Sequence, residues 1–82
     1  MTAPEERDVI RRVLAGDTQA FERLVEENEK KVYALALRMV GSPEDAQDIA
    51  QESFVKAYTS LGSFRGESRF SVWLYRLTYN IC

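Results

Sequence analysis

Residues 42–61 read SPEDAQDIAQESFVKAYTSL, and this stretch decides the fold. Serine is a favoured helix cap, proline is tolerated at the first helical position, and acids in the first turn complement the helix dipole. Ser42, Pro43, Glu44 and Asp45 supply these signals in that order. The apolar and small residues that follow, Ala46, Ile49, Ala50, Ser53, Phe54, Ala57, Tyr58 and Leu61, recur at three-four spacing and predict one inner helical face. Gly62 is the expected stop, after about 20 residues or ~30 Å of helix.

Working outward, glycines divide the rest of the chain into similar units. Upstream, Val9, Ile10, Val13 and Leu14 predict a helix from about Pro4 to Ala15, ended by Gly16. A second helix, capped by Asp17, is expected to reach about Val40 and end at Gly41. Its stripe is Ala20, Phe21, Leu24, Val25, Val32, Leu35, Ala36 and Met39, interrupted at Asn28, where a kink or a polar contact is expected. Downstream, residues 63–68 predict a loop. A fourth helix starts near Phe70 or Ser71, with Phe70, Trp73, Leu74, Leu77 and Ile81 on one face. No stretch of useful length alternates with period two. The fold class is therefore all-α, a small bundle of about four helices.

The chain has 82 residues, 45% of them hydrophobic, which suits one modest domain with a core. There is no histidine and one cysteine, so Ser-His or Cys-His catalysis and His/Cys zinc sites are not expected, nor is a disulfide within the chain. Phosphate-binding glycine motifs are missing. No cofactor or metal is expected, and the missing histidine and glycine loops argue against an enzyme working through its carboxylates. The acidic, polar start MTAPEERD differs from a signal peptide, and no apolar run suits a membrane span. A cytoplasmic location is expected. The fourth helix carries its apolar pattern to Cys82 with no stop signal, so the domain is expected to be one piece of a longer sequence.

The net charge of −2 hides an asymmetry. Residues 1–54 carry 7 Lys+Arg against 12 Asp+Glu (−5), and residues 55–82 carry 4 against 1 (+3). The basic part holds Phe64, Arg65, Gly66, Arg69, Arg76 and Asn80 close together. Arginines attract phosphates, aromatic rings stack on unpaired bases, and asparagine reads a base edge or sugar. A glycine lets backbone approach a ligand. These residues suit single-stranded nucleic acid, although a core role for Phe70 and Trp73 and an ordinary surface role for Tyr75 fit equally. In the third helix, Asp45, Asp48, Gln51, Glu52, Val55 and Lys56 lie off the apolar stripe. An acidic face with an apolar Val55 suits docking on a basic partner, and it also suits an ordinary solvated face. A helical protein-interaction domain without a nucleic-acid role is the alternative.

The segments DAQDIAQESFVKAY (45–58) and SFRGESRFSVWLYRLTYN (63–80), with the lead-in GDTQAFERLVEENEKKVYALALRMVGS (16–42), resemble region two of extracytoplasmic-function sigma factors. The likeness runs from about Asp8 to the last residue. Its specificity lies in the order of the parts: a capped acidic helix, a short F-R-G loop, and a W-L-x-R-L helix ending in asparagine. The resemblance implies docking on the clamp helices of the largest subunit of bacterial RNA polymerase. It also implies capture of flipped bases of the promoter minus-ten element on the non-template strand. By that likeness Asp45, Asp48, Gln51, Glu52 and Val55 belong to the polymerase-docking helix. Phe64, Arg65, Gly66, Ser68 and Arg69 belong to the specificity loop, Arg76 and Asn80 face the DNA strand, and Lys56 is a backbone contact. The family also implies an anti-sigma protein as a partner, and a linker and second helix-turn-helix domain beyond the fourth helix.

Overall fold

The computed structural model describes residues 1–82 and consists of four α-helices with no strand. They are α1 (Ala3–Leu14), α2 (Phe21–Val40), α3 (Pro43–Thr59) and α4 (Phe70–Ile81), with short 3-10 turns at Thr18–Ala20 and Leu61–Ser63. The expected all-α bundle is the observed class.

The starts of α1 and α3 follow the local chemistry. The Thr2 hydroxyl accepts from the Glu5 amide at 3.3 Å and donates to its carboxylate at 3.0 Å. Both prolines lie in the first two helical positions, where no intrahelical amide is lost. Ser42 caps α3 with a longer contact of 3.5 Å to the Asp45 amide. Gly41 ends α2 in the left-handed region at φ 74°, and its amide closes on the Leu37 carbonyl.

Three expectations needed correction. Asp17 makes no side-chain cap to α2; a 3-10 turn intervenes, and the Asp17 main-chain carbonyl accepts from Ala20. The third helix ends at Thr59 rather than at Gly62, because the chain tightens into the 3-10 turn that buries Leu61. Leu14, Met39 and Tyr58, assigned to apolar faces, are exposed: each is one of the last two residues of its helix, where the face runs out past the packed bundle. Asn28 makes a polar contact within an unbroken helix, as its buried amide donates to the Leu24 carbonyl at 2.8 Å.

The core joins all four helices. Val9, Ile10 and Val13 come from α1, Phe21, Leu24 and Val32 from α2, Ala57 from α3, and Phe70 and Leu74 from α4, with Leu61 from the turn. Small residues let α3 approach closely: Ala46, Ser53 and Ala57 are fully buried, and the Ser53 hydroxyl is satisfied by the Ile49 carbonyl at 2.7 Å. Thr78 does the same on α4, donating to the Leu74 carbonyl at 3.0 Å. No buried side-chain polar atom lacks a partner, as a stable core requires.

Burial separates two leucines of the same chemistry. Leu24→Ala is expected to cost about 2–5 kcal/mol in chemical denaturation, whereas Leu14→Ala should stay within about 0.5 kcal/mol.

Candidate nucleic-acid interface

The loop between α3 and α4 is held by rings on its inner side. Phe64 is half-buried, 5.1 Å between centroids from Trp73 and 6.1 Å edge-on from Phe70. Phe70 in turn meets Phe21 of α2 at 6.4 Å. Such edge-to-face and tilted contacts suit the quadrupoles of aromatic rings. The loop then turns through Gly66 at φ 74°, a conformation that L side chains rarely adopt.

This path builds a cleft of about 310 Å³. Phe64 and Trp73 form its apolar wall, and Arg65, Ser68 and Arg76 bring polar groups to the same space, with Ser63 and Glu67 completing it. Arg65 and Arg76 are exposed and have no carboxylate partner: the ion pairs of the molecule are Met1 amine–Glu27, Asp8–Arg12 and Glu6–Arg69. An aromatic wall with unpaired guanidinium groups at the rim can hold a planar ring and a phosphate at once.

The predicted residues thus separate into groups. Phe64, Arg65, Ser68 and Arg76 converge on one cleft. Gly66 shapes the loop and lines the hollow on its other side. Asn80 is exposed one helical turn beyond Arg76. Lys56 is exposed in the last turn of α3 and lines none of these hollows. Arg69 is already engaged: its Nε donates to Glu6 at 3.2 Å and its Nη2 to the Met1 carbonyl at 2.7 Å. Trp73, expected in the core, is half-buried and shared between core and cleft.

A second surface lies along α3. Asp45, Asp48, Gln51, Glu52 and Val55 are all exposed, Val55 to 63%. Gln51 also borders a groove of about 410 Å³ between α2 and α3, floored by Val25, Tyr33, Ala50 and Phe54. Sequence reading placed Val25 and Phe54 in the core and did not single out Tyr33. Tyr33, about two turns after the stripe residue Val25 and beside Val32, was the available signal. Tyr75 covers a neighbouring hollow between α2 and α4, and burial pushes its hydroxyl above the ordinary tyrosine value.

The sigma-70 region 2 family model matches residues 24–82, which contain the cleft and the α3 surface. The chain belongs to the sigma-70 region 2 family. It is 44% identical over 80 residues to the RNA polymerase sigma-H factor of Pseudomonas aeruginosa, covering 98% of this chain and 42% of that protein. It is 43% identical over 72 residues to the ECF RNA polymerase sigma factor SigW of Bacillus subtilis, covering 88% and 38%. The ECF sigma-E factor of Haemophilus influenzae is 50% identical over 72 residues, with the same 88% and 38%. The chain thus spans less than half the length of these curated relatives. Among solved structures, an engineered region 2 of sigmaE in complex with GTAAAA superposes with a TM-score of 0.84 at 41% identity, covering 99% of this chain and 81% of that one. This region 2 domain therefore shares both fold and family with extracytoplasmic-function relatives.

Gly66 supplies a direct test of the loop geometry. A Cβ there meets no atom within 4 Å, so the cost of Gly66→Ala is the left-handed backbone alone. The variant should lose about 1 kcal/mol in equilibrium unfolding, or rearrange the loop to avoid that cost, which amide chemical shifts of residues 64–69 would report.

Proposed function

We propose that this region 2 domain reads the promoter minus-ten element as single-stranded DNA and docks on RNA polymerase core during transcription initiation. The observation that carries the reading is the convergence of Phe64, Arg65, Ser68 and Arg76 on one cleft. Unstacking a base costs a few kcal/mol, and an apolar pocket with stacking walls can offset that cost. In this reading a flipped non-template base enters the cleft beside Phe64 and Trp73. Arg65 and Arg76 hold the flanking phosphates, and Asn80 meets the strand one turn further along α4. Lys56 serves the backbone at a distance from the cleft. The neighbour bound to GTAAAA supports the choice of ligand class.

The α3 surface takes the second role. Asp45, Asp48 and Glu52 present negative charge, and Val55 offers an apolar contact next to the α2–α3 groove. Charge of one sign at the rim with an apolar centre orients a basic partner and speeds its encounter. The proposed partner is the clamp-helix region of the largest polymerase subunit. An anti-sigma protein would act by denying either surface to its partner. The domain works in the cytoplasm in this reading, as a binding module without catalysis of its own. In a longer factor, a second helix-turn-helix domain would add reading of the minus-thirty-five element.

The docking claim is checked with Asp48→Arg and Glu52→Lys, both at exposed positions. Each should weaken binding to polymerase core while leaving the helical circular dichroism spectrum intact. Normal binding by both variants would remove the docking assignment, and a domain that binds core but no promoter strand would favour the protein-interaction alternative.

Salt dependence checks the reading surface. For single strands each neutralised phosphate contributes about −0.7 to the slope of log K against log salt. Arg76→Ala should therefore flatten the slope by about 0.7, whereas Asp48→Arg should not flatten it. An unchanged slope in Arg76→Ala would take Arg76 off the strand.

A further inference from the structure

We infer that Glu6 is a positioning residue for base selection: from α1 it locks the exit of the 64–69 loop, and it commits Arg69 to holding that loop rather than to touching DNA. The inference rests on the nucleic-acid reading above and adds to it a residue outside the stretch matched by the family model, residues 24–82.

Glu6 is buried to 8% exposure, rare for a carboxylate in so small a domain. One of its oxygens, Oε2, accepts twice, from Arg69 Nε at 3.2 Å and from the Phe70 main-chain amide at 3.0 Å. The Phe70 amide is the first of α4, one of the donors that a helix start leaves without an intrahelical partner. Arg69, at the cap position, makes no side-chain cap, and the first turn of α4 contains no acid. Glu6 supplies both missing elements from 64 residues away: an acceptor for an orphan amide and a negative charge at the positive end of the helix.

The loop is thereby fixed at both ends by the same helix. α1 packs against the 3-10 turn Leu61–Ser63 where the loop begins, and Glu6 holds Arg69 and Phe70 where it ends. Between them, Glu6 lines the hollow behind the loop together with Phe64, Gly66 and Ser68. The Arg69 guanidinium is further tied to the Met1 carbonyl at 2.7 Å. A pocket that discriminates bases needs walls held in place by their supports. Here the cleft-lining residues Phe64, Arg65 and Ser68 sit on the segment that the Glu6 lock spans.

The test uses the 82-residue chain and fluorescence anisotropy with single-stranded GTAAAA and each of its single-base variants. Discrimination is the ratio of the weakest to the tightest dissociation constant. Glu6→Ala and Arg69→Ala should each lower that ratio about ten-fold, the equivalent of one charge-assisted hydrogen bond. Mean affinity over the variants should hold within about two-fold, since phosphate contacts set it. Glu6→Gln should keep most of the discrimination, because its amide oxygen still accepts from the Phe70 amide and from Arg69. Two results overturn the inference: a wild-type ratio in both alanine variants, or a uniform loss of affinity in Arg69→Ala with the ratio intact, which would make Arg69 a direct DNA contact. Circular dichroism at the assay temperature monitors folding. If Glu6→Ala unfolds there, Arg69→Ala, at a half-exposed side chain, decides alone. A wild-type chain that binds none of the oligonucleotides, or all of them equally, would instead sink the nucleic-acid reading itself.

Discussion

Phe70 is held from every side, and the rest of the structure depends on it. Its ring is fully buried, in edge-on contact with Phe21 of α2 and Phe64 of the loop and tilted against Trp73 of its own helix. Its amide is bound by Glu6 of α1. One residue thus fixes where the loop stops and where α4 starts. The 100° per residue of an α-helix then determines the remainder. Leu74 and Thr78 follow Phe70 into the core at intervals of four, which turns Arg76 and Asn80 outward. The proposed reading residues need no device of their own to face solvent.

The same constraint explains how much of the molecule was legible in its sequence. Helix existence was readable because caps, prolines and three-four spacing agreed with the tertiary fold, as in Ser42-Pro43 and in Phe70-Leu74. Helix ends were less readable. Leu61 continues the α3 pattern in sequence but reaches the core through a 3-10 turn, and spacing alone does not distinguish the two routes. Leu14 and Met39 match their stripes and stay exposed, because periodicity reports a direction and says nothing of what lies there.

For the candidate site, residue types pointed to the segment that forms the cleft and missed its supports. Phe64, Arg65, Ser68 and Arg76 stand out as aromatic, basic and polar residues crowded together. Glu6 carries no such signal as an acid among acids. Its position did carry one: it precedes Val9, Ile10 and Val13 by three, four and seven residues, on their buried face. An acid at such a position needs a buried partner, and that partner comes from the far end of the chain. Sequence distance, not chemistry, concealed it. Arg69 is the converse case. Its type and place suggested a DNA contact, while its guanidinium is committed to the fold.

The charge distribution places a further condition on the proposed role. With a net charge of −2, the chain has little general attraction for a polyanion. Arg65 and Arg76 are free of carboxylate partners, but two or three phosphate contacts supply only modest affinity at physiological salt. Selective reading by such a domain therefore depends on a high local concentration of strand, which docking on a DNA-bound machine provides without any new contact to DNA. The acidic α3 surface and the basic cleft share no lining residue yet sit on one packed bundle. In the proposed reading weak general affinity is then useful: an undocked domain would stay off bulk DNA, and a docked one would be judged by how well a base fits beside Phe64 and Trp73.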